Sequence, residues 1–135
     1  YNWQSIEEPE DRGLVLKDIL QRNVCSKYLA GHQLIENYKG GNQLNSSYKS
    51  QANTIHDLNK KAACICAGTH GYGNGYINED GLKTIRKLTP IEWERLQTFP
   101  DNYSEDVSDT QRYKMLGNSF TVEMIKCILR PIVEE

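Results

Sequence analysis

Leu88-Thr89-Pro90-Ile91-Glu92-Trp93 is the stretch that most restricts what this chain can fold into. A helix start leaves backbone N–H groups unpaired. Here Thr89 supplies a capping hydroxyl, Pro90 a pre-set φ at the first helical position, and Glu92 a carboxylate three residues after the cap. Leu88 before the cap and Trp93 at the fourth helical position can meet as a hydrophobic staple, and Phe99-Pro100 stops the run. Ser108-Asp109-Thr110-Gln111 repeats the capping-box logic, with Gly117 placed to end that helix in a left-handed conformation. A third helix follows, capped by Asn118 or Ser119. Val122, Ile125, Ile128, Leu129 and Ile132 form its apolar stripe before Pro131 and the acidic tail disturb it. Taken alone, that stripe reads as part of this domain's own core.

The earlier chain is less sharply punctuated. Leu16, Ile19 and Leu20 at helical spacing predict a short amphipathic helix over 11–22, and a second short helix is predicted over 30–38 before Lys39-Gly40-Gly41-Asn42 breaks the chain. From there to about Gly81 the sequence is rich in Asn, Ser, Gly, Tyr and Lys. Its strand-like runs are short, Ala62 to Ala67 and Gly75 to Ile77. The expected fold class is α+β: a small irregular antiparallel sheet carrying recognition loops, flanked by short helices.

At 135 residues and 38% hydrophobic composition, the chain can bury one modest core, which excludes a large two-domain enzyme. It has no apolar run long enough to span a membrane and no N-terminal leader pattern, so a soluble intracellular protein is expected. Cys25, Cys64, Cys66 and Cys127 are too few and too scattered for a disulfide framework, and the single C-x-C pair is not a usual zinc spacing, so no metal site is expected. The net charge of −2 is unevenly spread. Residues 1–37 carry −2, residues 38–91 carry +4 and residues 92–135 carry −4, which makes the middle third the basic stretch. On charge alone that stretch reads as an ordinary solvated loop region.

Two blocks carry a family resemblance. Residues 86–103, RKLTPIEWERLQTFPDNY, are similar to the R-x-L-T-x-x-E-x-x-R-L-Q-x-F-P-x-x-Y block of DNA (cytosine-5) methyltransferases. Residues 111–119, QRYKMLGNS, are similar to their Q-x-Y-x-x-x-G-N-S block, in the same order and at a fitting separation. Upstream, Leu16 to Leu20 resembles the opening of the target-recognition region in phage and bacterial modification methylases. Lys61 to Gly68 stands where relatives have a K-S-P-T-L-T-A-type strand, with Cys64 and Cys66 in place of Thr and Ala63 in place of Pro. A Gly-rich loop, Gly68 to Gly75, follows. The family's Pro-Cys, Glu-Asn-Val and F-x-G-x-G motifs are absent from this sequence; its four cysteines follow Val24, Ala63, Ile65 and Lys126.

The resemblance implies a C-terminal part of such an enzyme, one that recognises double-stranded DNA and completes the S-adenosylmethionine pocket while the N-terminal catalytic domain lies elsewhere. A start on Tyr-Asn-Trp rather than Met fits this expectation. Residues 1–107 are expected to form the target-recognition domain. Residues 108–135 are expected to form a helical segment that belongs to the catalytic domain, with the last helix packing there. In the isolated chain that helix is expected to fold onto the chain's own body or be buried in a dimer. No catalytic residue is assigned. The cofactor-binding candidates are Asn118, Ser119 and Phe120. The DNA-binding candidates are Gln51, Asn53, Lys61, Thr69, His70, Tyr72, Asn74 and Arg86, with Lys39, Lys49, Lys60, Gln43 and Asn45 as further polar groups of the same region. In the first block, Arg86, the caps, Leu96, Phe99 and Tyr103 read as scaffold, and Arg95 as a salt-bridging residue. A cytoplasmic setting, in a bacterium or a phage-infected cell, goes with the resemblance. The alternative is a non-catalytic DNA-binding or partner-binding module with the same fold, and a further one is a plain α+β scaffold domain with no nucleic-acid role.

Overall fold

The structure is a computed structural model and describes residues 4, 6–36, 38, 40–44, 51–67, 75–79 and 84–134. Its helices are α1 (His32–Glu36), α2 (Pro90–Leu96), α3 (Asp109–Gly117) and α4 (Val122–Val133). Its strands are β1 (Ile55–His56), β2 (Tyr76–Asn78) and β3 (Ile85–Arg86). The fold is α+β. The sheet is mixed rather than antiparallel throughout: β1 pairs parallel with β2, with Ile55 opposite Tyr76, and β2 pairs antiparallel with β3, with Ile77 opposite Arg86. A parallel pair needs a crossover, and residues 57–75 supply it.

Strand alternation sends neighbouring side chains to opposite faces. Ile77 joins a core with Leu16, Tyr28, Leu88, Trp93, Tyr113 and Leu116, while Tyr76 and Ile85 join a second one with Ala30 and Leu44. Arg86, opposite Ile77, lies on the face of the first core.

The predicted start of α2 is present in full. Thr89 Oγ1 accepts from the Glu92 N–H at 3.2 Å, and the Thr89 N–H donates to Glu92 Oε1 at 2.8 Å. Leu88 and Trp93 share the first core, and Trp93 meets Tyr113 edge-on with ring centroids 4.8 Å apart. The helix ends at Leu96 in a Schellman-type turn. Phe99 N–H donates to Glu94 C=O at 2.9 Å, and Thr98, a β-branched residue, takes the left-handed conformation at φ 61. Ser108 caps α3 through a 3.4 Å bond from Gln111 N–H.

Four expectations are corrected. Residues 11–22 contain a single 3-10 turn, Leu16–Ile19. The Leu16 and Lys17 N–H groups donate to Lys60 and Leu58 carbonyls at 2.9 and 3.0 Å, so tertiary bonds take the place of a helical ladder. The predicted second helix shortens to α1. Among the described residues, 62–67 form no strand. Gly117 does not adopt a positive φ: a Cβ there would lie 2.5 Å from the Ala67 N and Cα atoms and 2.6 Å from the Cys66 carbonyl carbon, so glycine is required by close approach. In addition, Tyr103 stacks on Phe99 yet is 68% exposed, so it is surface rather than core.

Glu92 and Glu94 are fully buried within α2. Glu94 accepts from Asn102 N–H, Ser104 N–H, Ser104 Oγ and the Arg112 guanidinium at 2.8–3.1 Å. Glu94→Ala is expected to cost about 3–5 kcal/mol because it strands Arg112 in the interior. Thr89→Ala is expected to cost about 1 kcal/mol as a lost cap. Urea unfolding of both variants checks the ranking, and equal losses would refute it.

Candidate functional site

The Gly117–Phe120 turn is where the two sequence blocks meet. On one side Gly117 sits against the Cys66-Ala67 backbone. On the other, the end of α2 holds the start of α4: Val122 N–H donates to Gln97 C=O at 2.9 Å, and Glu123 N–H donates to Thr98 Oγ1 at 3.0 Å. This corrects one expectation: the N-cap position of α4 is Thr121, not Asn118 or Ser119. The first N–H groups of that helix are bonded within the protein. Gln97 was legible as a match to the R-L-Q-x-F block and Thr98 fills its variable position, but spacing gave no sign of this contact.

Asn118 and Phe120 are exposed and Ser119 is half-buried. The Asn118 and Ser119 N–H groups donate to Lys114 and Leu116 carbonyls at 3.1 and 3.2 Å. These two N–H groups are thus not free for a ligand, whereas the Asn118 and Ser119 side chains have no hydrogen-bond partner among the described residues.

The DNA-binding candidates separate into three groups. Arg86 is corrected: it is 2% exposed, with its guanidinium bonded to Glu92 at 2.7 and 2.9 Å and to Glu79 at 3.1 and 3.3 Å. Burial opposes its charge, but the bonds from Glu92 and Glu79 outweigh that and hold it protonated. A guanidinium locked between two carboxylates cannot reach a phosphate, so Arg86 belongs to the scaffold. Gln51 and Lys61 are exposed and Asn53 is half-buried. Lys61 Nζ lies 2.7 Å from Asp11, with 65% of its side chain exposed. Thr69, His70, Tyr72 and Asn74 lie outside the described residues, as do Lys39, Lys49 and Asn45.

Gly75, the last residue of the Gly-rich stretch, has φ +78, and a Cβ there would meet Thr54 O at 2.3 Å and Gln51 O at 2.8 Å. The segment carrying Gln51 and Asn53 is thereby seated against the end of that stretch. Among the described residues no group of three or more His, Cys, Asp or Glu side chains gathers to hold a metal.

α3 is fixed at its start by charge. Asp109 accepts from Tyr28 Oη at 2.7 Å and pairs with Lys27 at 3.0 Å. Burial raises the Asp109 carboxyl, but those bonds outweigh it and hold the group below its ordinary value. Lys87 lies over the Tyr113 and Tyr28 rings at 5.1 and 5.9 Å, and burial pushes its ammonium down.

Residues 2–134 match the family model for C-5 cytosine-specific DNA methylase, and the chain belongs to that family. It is 31% identical over 133 residues to the type II methyltransferase M1.ScrFI of Lactococcus lactis subsp. cremoris, covering 96% of this chain and 33% of the relative. To M.HpaII of Haemophilus parainfluenzae it is 48% identical over 61 residues, 45% of this chain and 16% of the relative. The fold is shared with the S. pombe Dnmt2 methyltransferase at a TM-score of 0.65 and 18% identity, covering 93% of this chain and 43% of that one. The chain thus spans about a third or less of the length of these curated relatives.

Burial, reinforced by the bond to Asp109, pushes the Tyr28 hydroxyl from 10.0 up to about 12. Below pH 10 both folded and unfolded chains keep this proton. As pH rises from 10 to 12 the unfolded chain loses it first, so the contribution to stability disappears across that window. Tyr28→Phe should therefore lose less stability than the wild type between about pH 10 and about pH 12 in urea titrations. Parallel losses would rule this out.

Proposed function

We propose that the chain is the target-recognising and C-terminal part of a DNA (cytosine-5) methyltransferase. In the intact protein it selects a site on double-stranded DNA and completes the S-adenosylmethionine pocket; alone it transfers no methyl group. The observation that supports this best is the seating of Gly117 on Cys66-Ala67, which sets the Asn118-Ser119-Phe120 turn against the segment that leads, in sequence, into the Gly-rich loop.

The chemistry calls for such a division. A stacked cytosine must be flipped out before a thiolate attacks it, and the Pro-Cys nucleophile and its Glu-Asn-Val partner belong to the rest of the enzyme. Recognition needs phosphate contacts for register and base-edge contacts for sequence. Lys61 suits the first and Gln51 and Asn53 the second, together with Thr69, His70, Tyr72 and Asn74. When bound, S-adenosylmethionine supplies an electrophilic methyl group. Its methionine end is a zwitterion beside an apolar chain. The Asn118 carboxamide provides a donor and an acceptor, the Ser119 hydroxyl either, and the exposed Phe120 ring an apolar face. These residues fit one edge of such a group.

Residues 1–107 form the small domain in this reading, and 108–135 are the segment shared with the catalytic domain. α3 is the joint, with Tyr113 and Leu116 buried in the small domain's core. No α4 residue is buried, and Met124, Leu129, Ile132 and Val133 are exposed. In the single chain Val122, Ile125 and Ile128 are half-buried, so the helix is covered in part, and in this reading its exposed apolar residues are the surface that meets the catalytic domain or, without it, a second copy.

Methyl transfer from labelled S-adenosylmethionine to mixed-sequence duplex DNA is expected from the full reading frame and not from this chain. Replacing 68–75 should abolish it, and Asn118→Ala should raise the KM for the cofactor about tenfold. No transfer by either protein would favour a non-catalytic DNA-binding or partner-binding module. Sedimentation of the chain alone should show association that Ile132→Glu removes; a monomer before substitution would count against the α4 surface.

A further inference from the structure

Both ends of the turn that carries Asn118, Ser119 and Phe120 are fastened by one side chain, Gln97. It is 8% exposed. Its Nε2 donates to the Leu116 carbonyl at 3.0 Å, and its Oε1 accepts from the Thr121 hydroxyl at 3.1 Å. One carboxamide therefore spans the gap between the end of α3 and the residue before α4. The Gln97 main-chain carbonyl adds the 2.9 Å bond from Val122 N–H.

The next residue works in the same sense. Thr98 is β-branched and stands at φ 61, a conformation that costs such a residue energy and persists where its surroundings demand it. Its hydroxyl is the acceptor for Glu123 N–H. On the far side of the turn, Gly117 has no space for even a methyl group beside Cys66-Ala67. The turn is thus held from one side by the end of α2 and from the other by the segment running toward the Gly-rich loop.

We propose that Gln97 is a positioning residue for cofactor binding, its carboxamide setting the span from Leu116 to Thr121 and so presenting the Asn118 and Ser119 side chains to the methionine end of S-adenosylmethionine. This rests on the functional reading above, which gives those two residues their ligand. A residue that served stability alone would be expected to tie together distant elements. Gln97 instead bonds to the two ends of one short turn, and among the described residues the Asn118 and Ser119 side chains have no hydrogen-bond partner of their own. Their placement depends on the backbone that Gln97 holds.

The test uses the full-length enzyme. Gln97→Leu keeps the side chain's size and removes both bonds. Gln97→Glu keeps an acceptor for Thr121 and has no donor for the Leu116 carbonyl. For Gln97→Leu the expected result is a KM for S-adenosylmethionine raised about tenfold with an unchanged KM for duplex DNA, and amide hydrogen exchange over 117–123 faster by a similar factor while α2 keeps its protection. Gln97→Glu should fall between that variant and the wild type. Unchanged exchange over 117–123 in Gln97→Leu would overturn the clamp. Faster exchange with an unchanged cofactor KM, or a KM for DNA that rises in step with it, would overturn the positioning role. A wild-type protein that binds no S-adenosylmethionine would overturn the functional reading and with it the cofactor half of this inference, leaving the exchange data to judge the clamp.

Discussion

The architecture hangs on two carboxylates buried in one short helix. Glu92 and Glu94 lie two positions apart on α2, about 200° around the helix axis, so they face opposite ways. Glu92 accepts from Arg86, from the Gln21 N–H and from its own cap, which draws β3 and the segment before Ser26–Tyr28 onto α2. Glu94 gathers the Asn102–Ser104 turn and Arg112 of α3. A buried ion pair adds little net stability over an apolar pair of the same shape, but breaking one is costly. Their effect is therefore to specify which elements meet. The sheet and α3 can dock on α2 in the arrangement that satisfies these carboxylates, and a slipped arrangement would leave a charge buried alone.

The parts legible in the sequence were those whose causes are local. The Thr89 cap, Pro90, Glu92 and the Leu88–Trp93 staple act within one helical turn, and all were found as read. Residues 11–22 failed for the complementary reason. Their apolar spacing was real, and Leu16, Ile19 and Leu20 do pack against the first core, but the backbone found partners at Leu58 and Lys60 instead of in a helix. Gly117 was singled out correctly and explained wrongly. A glycine after a helix suggests a left-handed cap, whereas the requirement came from a segment fifty residues earlier in the chain, invisible to any local rule. Arg86 was read both as scaffold and as a DNA-binding candidate, and its burial was not legible because its carboxylate partners, six and seven positions away, are brought to it by the strand and helix.

The candidate site was legible as a set of positions and not as a geometry. Asn118 and Ser119 stood out, but the end of α2 that holds their turn did not, because Gln97 and Thr98 look like the tail of a helix. Thr98 shows how the two blocks are coupled. A glycine would enter the left-handed region without strain, and threonine does so while its hydroxyl caps the next block's helix. The strain at one helix end is thus offset by a bond at the start of another.

That coupling accounts for the state of α4. The helix is anchored through its first turn, at Val122 and Glu123; beyond it Ile125 and Ile128 are half-buried, while Met124, Leu129, Ile132 and Val133 are exposed. A twelve-residue helix with no fully buried residue is marginal in water, since helices of this length draw most of their stability from the surface they pack on. The match to the family model runs through this helix, and the relatives are about three times as long as the chain or longer. An apolar face with a fixed starting direction and four exposed residues, Met124, Leu129, Ile132 and Val133, is therefore what one half of an interface would look like. The bonds at Gln97 and Thr98 fix how that face is presented, and the turn they hold carries Asn118 and Ser119 at the same seam.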